Sequence, residues 1–143
     1  MFFVFYKLKA EDNIEDILNI ARELDLNVIF IPREDSTVNF DKFRDKYSFK
    51  IMNYEDFIDA FKDKKIAFIE TYGTKYISEV NLRDFDAFVF GSEDYGIDIC
   101  DIKKAYNYEV LRIPIKSESY KVVSSFVMVL TELKLQETIN KWK

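Results

Sequence analysis

Any chemistry in this chain has to be built without imidazole, because its 143 residues include no histidine. That excludes Ser-His-Asp and Cys-His triads and the commonest metal-ligand sets. Cys100 is the only cysteine. It can form neither an intramolecular disulfide nor a Cys/His zinc cluster, so no metal is expected, and a reducing compartment, the cytoplasm, is.

The residues that stand out instead are the three glycines, Gly73, Gly91 and Gly96, each of which follows an apolar run that reads as a strand. Glycine is used where φ must be positive or where a backbone or ligand comes close, and open α/β sheets bind ligands at the carboxyl ends of their strands. Ordinary turn chemistry accounts for Gly73. The other two bracket Gly91-Ser92-Glu93-Asp94-Tyr95-Gly96-Ile97, directly after Phe88-Val89-Phe90. The form is strand, then G-x-E-x-x-G-[IL]. Neither G-x-G-x-x-G nor G-x-x-x-x-G-K-[ST] occurs, which removes the familiar dinucleotide and P-loop cradles. About twenty residues on comes a second marked turn: Leu111-Arg112, Ile113-Pro114-Ile115, a polar loop, Ser119, then an apolar helix.

The elements that would carry these turns alternate in type. Residues 2–8 read as a first strand, rich in Phe, Val and Tyr. Asp12 and Glu15 have capping-box spacing before a helix whose Ile14, Ile17, Leu18, Ala21 and Leu24 share one face, with Asn27 as its stop. Val28 to Ile31 makes a short strand ended by Pro32, and residues 33–46 form a polar loop with one helical turn anchored by Val38, Phe40 and Phe43. A strand over 48–52 precedes a helix capped by Asn53. Strands follow at 66–69, 85–90 and 110–113, with a helix around 98–106. This rhythm predicts a single α/β domain over 1–143, with a mostly parallel sheet and helices on both faces. The last helix, roughly 119–138, opens with Val122, Val123, Phe126, Val127, Met128, Val129 and Leu130. One sheet face cannot bury all of these, so a second subunit is expected against it, with burial under the 33–46 loop as the alternative.

A net charge of −5 argues against broad non-specific nucleic-acid binding, although Lys62, Lys64 and Lys65, the pair Lys103 and Lys104, and Lys116 with Lys121 make local basic clusters. The N-terminal apolar run is too short to span a bilayer, and no membrane role is expected.

Together the two marked turns resemble the cofactor-binding half of the SPOUT-class RNA methyltransferases, specifically the SpoU or TrmH-like branch, whose motifs read G-x-E-x-x-G-L and I-P-M…S-L-N-V-S. The first is matched fully and the second in part, since Tyr120-Lys121 stands where the family has Leu-Asn. The resemblance covers residues 66–133 well and 1–31 loosely. It implies an α/β sheet whose C-terminal segment, residues 91–133, threads a loop into a trefoil knot. It also implies S-adenosylmethionine as cofactor, a homodimer built on the C-terminal helix, and a structured RNA, tRNA or rRNA, as acceptor of a methyl group on ribose 2′-oxygen.

Carried over, the cofactor positions are Glu70, Thr71, Gly91, Ser92, Glu93, Gly96, Ile97, Ile113, Ile115 and Ser119, with much of the contact made by backbone. Glu93 would either order its loop by accepting backbone N–H bonds or oppose the positive sulfonium. The family's N-x-G-x-x-x-R motif has its nearest counterpart in residues 16–22, of which only Arg22 agrees; Leu18 replaces the glycine. Arg22 would orient the acceptor and stabilise developing charge. Ser119 and Lys121 complete the implied catalytic set. Two other readings compete: a non-catalytic relative kept as a binding or assembly module, and an unrelated flavodoxin-like nucleotide-binding domain.

Overall fold

The computed structural model describes residues 1–116 and 120–142, with side chains described up to residue 139. Seven strands form one sheet: β1 (Phe2–Tyr6), β2 (Asn27–Ile31), β3 (Lys50–Ile51), β4 (Ile66–Ile69), β5 (Lys75–Tyr76), β6 (Ala87–Phe90) and β7 (Tyr108–Arg112). Their spatial order is β3-β2-β1-β6-β4-β7-β5, and every neighbouring pair runs parallel. The register aligns Val4 with Ile29 on one side and Val89 on the other, and Val89 with Phe68.

Because side chains alternate across a strand, the central strands feed two cores. Phe3, Phe5, Phe88, Phe90, Ala67 and Ile69 face one layer, completed by α1 (Glu11–Leu24) and α4 (Val122–Trp142). Val4, Tyr6, Ala87, Val89, Ile66 and Phe68 face the other, covered by α2 (Tyr54–Ala60) and α3 (Ile99–Ile102). Helices therefore cover both faces, as the alternation predicts. The first layer is an aromatic stack. Phe3 lies on Phe88 with ring centroids 5.8 Å apart and Phe5 on Phe90 at 5.3 Å, and Phe126 of α4 meets Phe3, Phe5 and Phe90 at 5.5, 5.0 and 5.6 Å.

Several local expectations shift. Asp12 lies inside the first turn of α1 rather than capping it; Ala10 is the cap residue and supplies no side-chain bond. The helix stops at Asp25, in the left-handed region at φ 55°, and Asn27 already belongs to β2. Asn53 does cap α2, accepting from Asp56 N at 2.8 Å. The helix at 98–106 contracts to one turn, capped by Asp98 through Cys100 N at 2.8 Å. The edge strand β5 has no pattern visible in two residues. It exists because Gly73 lets the chain pass against β7, where a Cβ would stand 2.4 Å from the carbonyl carbon of Leu111. The 33–46 segment holds one 3-10 turn, Phe40–Phe43, with Phe43 buried.

Chain order divides the sheet. From β1 the chain moves outward to β2 and β3, then crosses to build the other half around β4 and β6. Loops leaving neighbouring strands at such a switch point diverge, and the crevice between them is where an open parallel sheet takes a ligand.

Candidate active site

Beside that switch point, which falls between β1 and β6, a cavity of about 500 Å³ opens at the carboxyl ends of β4 and β6. Its walls are residues 69–72 after β4, residues 90–99 after β6, and Tyr120, Val122 and Ser125 at the entry to α4. A volume of this size suits a nucleoside-sized ligand.

The glycine loop is shaped by close backbone approach. Gly96 has φ +67°, and a Cβ there would come within 2.5 Å of Glu70 Oε1. Gly91 packs directly on Gly96, where its Cβ would meet backbone carbon at 2.8 Å. The two glycines thus let the loop fold onto itself, closed by paired bonds between Ser92 and Gly96 at 3.4 and 3.3 Å, and let Glu70 press against it. Glu70 Oε1 accepts from Ile97 N at 2.6 Å and Oε2 from Thr71 N at 3.2 Å. Only 8% of Glu70 is exposed, and burial pushes its carboxyl up, against the lowering effect of those two N–H groups.

Glu93, in the cavity wall, turns its carboxylate to the start of α1. Its oxygens accept from Lys9 N and Ala10 N, both at 3.0 Å, and from Asn13 Nδ2 at 3.1 Å. Burial alone would raise this carboxyl, but the hydrogen bonds outweigh it and hold it below its ordinary value. Of the two roles expected of Glu93, the geometry gives it the loop-ordering one. It also supplies the anchor that α1 lacks in its own sequence, and a carboxylate at a helix start suits the helix dipole. Asp94 ties the same loop to β2: it bonds the Arg33 guanidinium and lies 3.4 Å from Lys9 Nζ, and Arg33 holds the Asp94 carboxyl well below the usual carboxylate range.

At the second turn, Tyr120 OH accepts from Ile113 N at 3.2 Å and lies 3.3 Å from Ile113 O, which pins the end of β7 to the start of α4. Tyr72, across the cavity, donates its OH to Ile97 O at 3.3 Å. Burial lifts its phenol to about 12, and Glu70 and Asp98 push it the same way.

The structure brings Glu70, Thr71, Gly91, Ser92, Glu93, Gly96 and Ile97 together around one cavity. It does not bring all the expected residues there. Ile113 is buried in the core behind Tyr120, and Ile115 is half exposed beyond Pro114; neither lines the cavity wall. Lys121 is exposed between Tyr120 and Val122, which do line it. Ser119 lies outside the described residues.

Arg22 does not line the cavity of its own chain, because of the course of α1. That helix starts beside the glycine loop and runs back along the sheet, so eleven residues on, Arg22 is ~16 Å down the axis at the opposite edge. There it is exposed, donating to Asn19 Oδ1 at 3.3 Å and lying over the Tyr47 ring at 4.9 Å. The residue that meets the glycine loop from this segment is Asn13, which the sequence reading passed over. Counting N-x-G-x-x-x-R from Asn13 puts Glu15 at the glycine and Asn19 at the arginine. In that register Asn13 alone agrees with the motif, so spacing carries no signal that would single it out.

Electrostatically the cavity is one-sided. Among the described residues it is lined by Glu70, Glu93, Asp94 and Asp98 and by Tyr72, Tyr95 and Tyr120, with no lysine or arginine. Phosphate-bearing ligands would find no counter-charge here. A neutral or cationic ligand fits better. No group of acidic, cysteine or histidine side chains among the described residues is placed to hold a metal ion, and no helix among them is long and apolar enough to cross a membrane.

No protein-family model and no curated protein sequence matches this chain. Solved structures do. One, on the 2-OH methylation of C/U34 on tRNA, superposes with a TM-score of 0.80 over 96% of this chain and 95% of that one, at 17% identity. The TrmH/SpoU tRNA modifying enzyme of A. aeolicus matches with 0.73 over 98% and 77%, at 16% identity. The SpoU methyltransferase AviRb from Streptomyces viridochromogenes, solved with the cofactor AdoMet, matches with 0.74 over 96% and 60%, at 12% identity. The fold of this chain is that of the SpoU/TrmH-type RNA methyltransferase structures. A flavodoxin-like sheet is set aside by the strand order.

Proposed function

We propose that this protein is an S-adenosylmethionine-dependent RNA methyltransferase that modifies a ribose 2′-oxygen of structured RNA, tRNA or rRNA, in the cytoplasm. The observation that carries the reading is the cavity where the glycine loop, the Glu70 turn and the entry to α4 converge without a basic side chain. The likeness of fold to RNA methyltransferase structures supports it. The 143 residues act as one domain, with the segment 91–133 passing through the knot that such structures lead one to expect.

When bound, S-adenosylmethionine would supply an electrophilic methyl group to a ribose hydroxyl and be left as the neutral thioether, the hydroxyl proton going to solvent. The chain's own part is positional. Backbone at Gly91, Ile97 and Thr71 would frame the adenosyl group, Gly96 leaves room for Glu70 against the loop, and Tyr120 holds the second turn closed. The dimer forms through α4, whose Val127, Leu135 and Ile139 are exposed and whose groove against Leu24 and Met1 is apolar.

Calorimetric titration with S-adenosylhomocysteine tests the cofactor; no binding at millimolar ligand would sink the proposal. Loss of one methylated nucleotide from cellular RNA on gene deletion tests the reaction. The distance of Arg22 from the cavity and Asn19 at the motif's arginine position favour a second reading, in which the cofactor is bound but the RNA is not methylated. Donor binding with an unchanged RNA methylation profile on deletion would select that one.

A further inference from the structure

Within the cavity one group is left electrostatically unanswered. Glu93 is satisfied by three N–H donors, Asp94 by Arg33 and Lys9, and Asp98 by its role at the start of α3. Glu70 is more deeply buried than any of these, and its surroundings contain two backbone N–H groups but no cation among the described residues. An ionised carboxylate has about four acceptor sites, and only two are used here. Its charge reaches both neighbouring aromatic walls, acting on the phenols of Tyr72 and Tyr120. Burial raises the Glu70 carboxyl and a positive guest beside it would favour its ionised form, so this carboxyl and two electron-rich rings on one small cavity are surroundings that favour such a guest.

We infer that Glu70 makes this cavity discriminate by charge, holding the sulfonium form of the methyl donor in preference to the neutral thioether left after transfer. This rests on the S-adenosylmethionine reading above and adds to it a named specificity residue and a consequence for turnover: the product loses the attraction that retained the donor, and leaves. The donor and product differ by one methyl group and one positive charge, while adenine, ribose and amino-acid tail are common to both. Contacts to the common parts cannot separate them; a nearby charge can. An opposite charge at 4–6 Å is worth roughly 1–3 pK units, so the expected preference is about tenfold or more.

The test is titration calorimetry of the full chain with S-adenosylmethionine, S-adenosylhomocysteine and sinefungin, which carries an amine in place of the sulfonium. Wild type is expected to bind both cationic ligands about tenfold tighter than the thioether. Glu70→Gln keeps the size of the side chain and its acceptor for Ile97 N, and is expected to weaken the cationic pair about tenfold while moving the thioether less than about twofold. Equal affinities in wild type, a result that needs no variant, overturn the inference and leave the cofactor reading standing. So does a variant that weakens all three ligands alike, which would mean that Glu70 contacts adenine or ribose. Failure of wild type to bind any of the three overturns the cofactor reading itself, and this inference with it.

Discussion

Gly96 is where one missing side chain matters most. Its φ of +67° is strained for any L-residue, and the space a Cβ would need is held by Glu70 Oε1 at 2.5 Å. Gly96→Ala should therefore cost about 1–3 kcal/mol of stability, read from urea unfolding, and should lower affinity for S-adenosylhomocysteine by displacing Ile97 from Glu70. Arg22 offers the contrast. Exposed and at the far end of α1, it should tolerate replacement: Arg22→Ala is expected to leave the dissociation constant for S-adenosylhomocysteine unchanged within about twofold and stability within ~0.5 kcal/mol. A larger loss of affinity would mean that the cavity extends to the opposite edge of the sheet. Residue types and spacing made the glycine pair legible, because scarcity and position coincided. The partners of Glu93 were not legible: Lys9 and Ala10 take part through their backbone N–H groups, which carry no trace in side-chain identity, and Asn13 lies 80 residues away in the chain.

At the scale of elements, the glycine loop is fastened three ways, to β4 by Glu70, to α1 by Glu93 and to β2 by Asp94. The Asp94 tie should show in acid. Arg33 lowers the carboxyl's pKa in the folded protein, so its stabilising contribution is present above the ordinary carboxylate value near 4 and is lost as pH falls through that range toward the lower folded-state value. Asp94→Asn should flatten the acid limb of a stability-versus-pH curve followed by tyrosine and tryptophan fluorescence, by a modest amount because a quarter of the side chain remains exposed. Helices and strands with long periodic faces, α1 and the central strands, were readable because burial on one face imposes the period. The two-residue strands and the single turn of α3 were not: their existence depends on what the neighbouring strand or loop offers, and two to four residues cannot display a period.

Across the whole molecule, an aromatic layer packs one face of the sheet, and beside it α4 leaves an apolar seam uncovered. Phe126 is fully buried where four rings converge, and Phe126→Ala should cost about 3–5 kcal/mol, seen as a large fall in the midpoint of chemical denaturation. Val127, its neighbour, is 43% exposed beside the groove formed with Leu24 and Leu135. Val127→Glu should leave the circular dichroism spectrum unaltered while converting a dimer to a monomer in light scattering; a dimer that persists would place the partner surface elsewhere. The all-round apolar start of α4 had signalled a second surface in the sequence. What it did not reveal was the division of labour, with Val122, Phe126, Val129 and Leu133 buried in the core, Val123, Met128 and Leu130 partly buried against it, and Val127, Leu135 and Ile139 exposed.

The position of β1 has a consequence for how the protein is made. β1 is synthesised well before β6, yet one of its two edges pairs with β6, and Phe88, Phe90 and Phe126, whose rings pack on Phe3 and Phe5, come only in the second half of the chain. Until then β1 is an oily strand with one bare edge, covered from the first half of the chain only by Phe30 and the apolar face of α1. Cotranslational assembly has to wait until nearly the last helix is out, so nascent chains arrested before residue 126 should lean on chaperones far more than released ones.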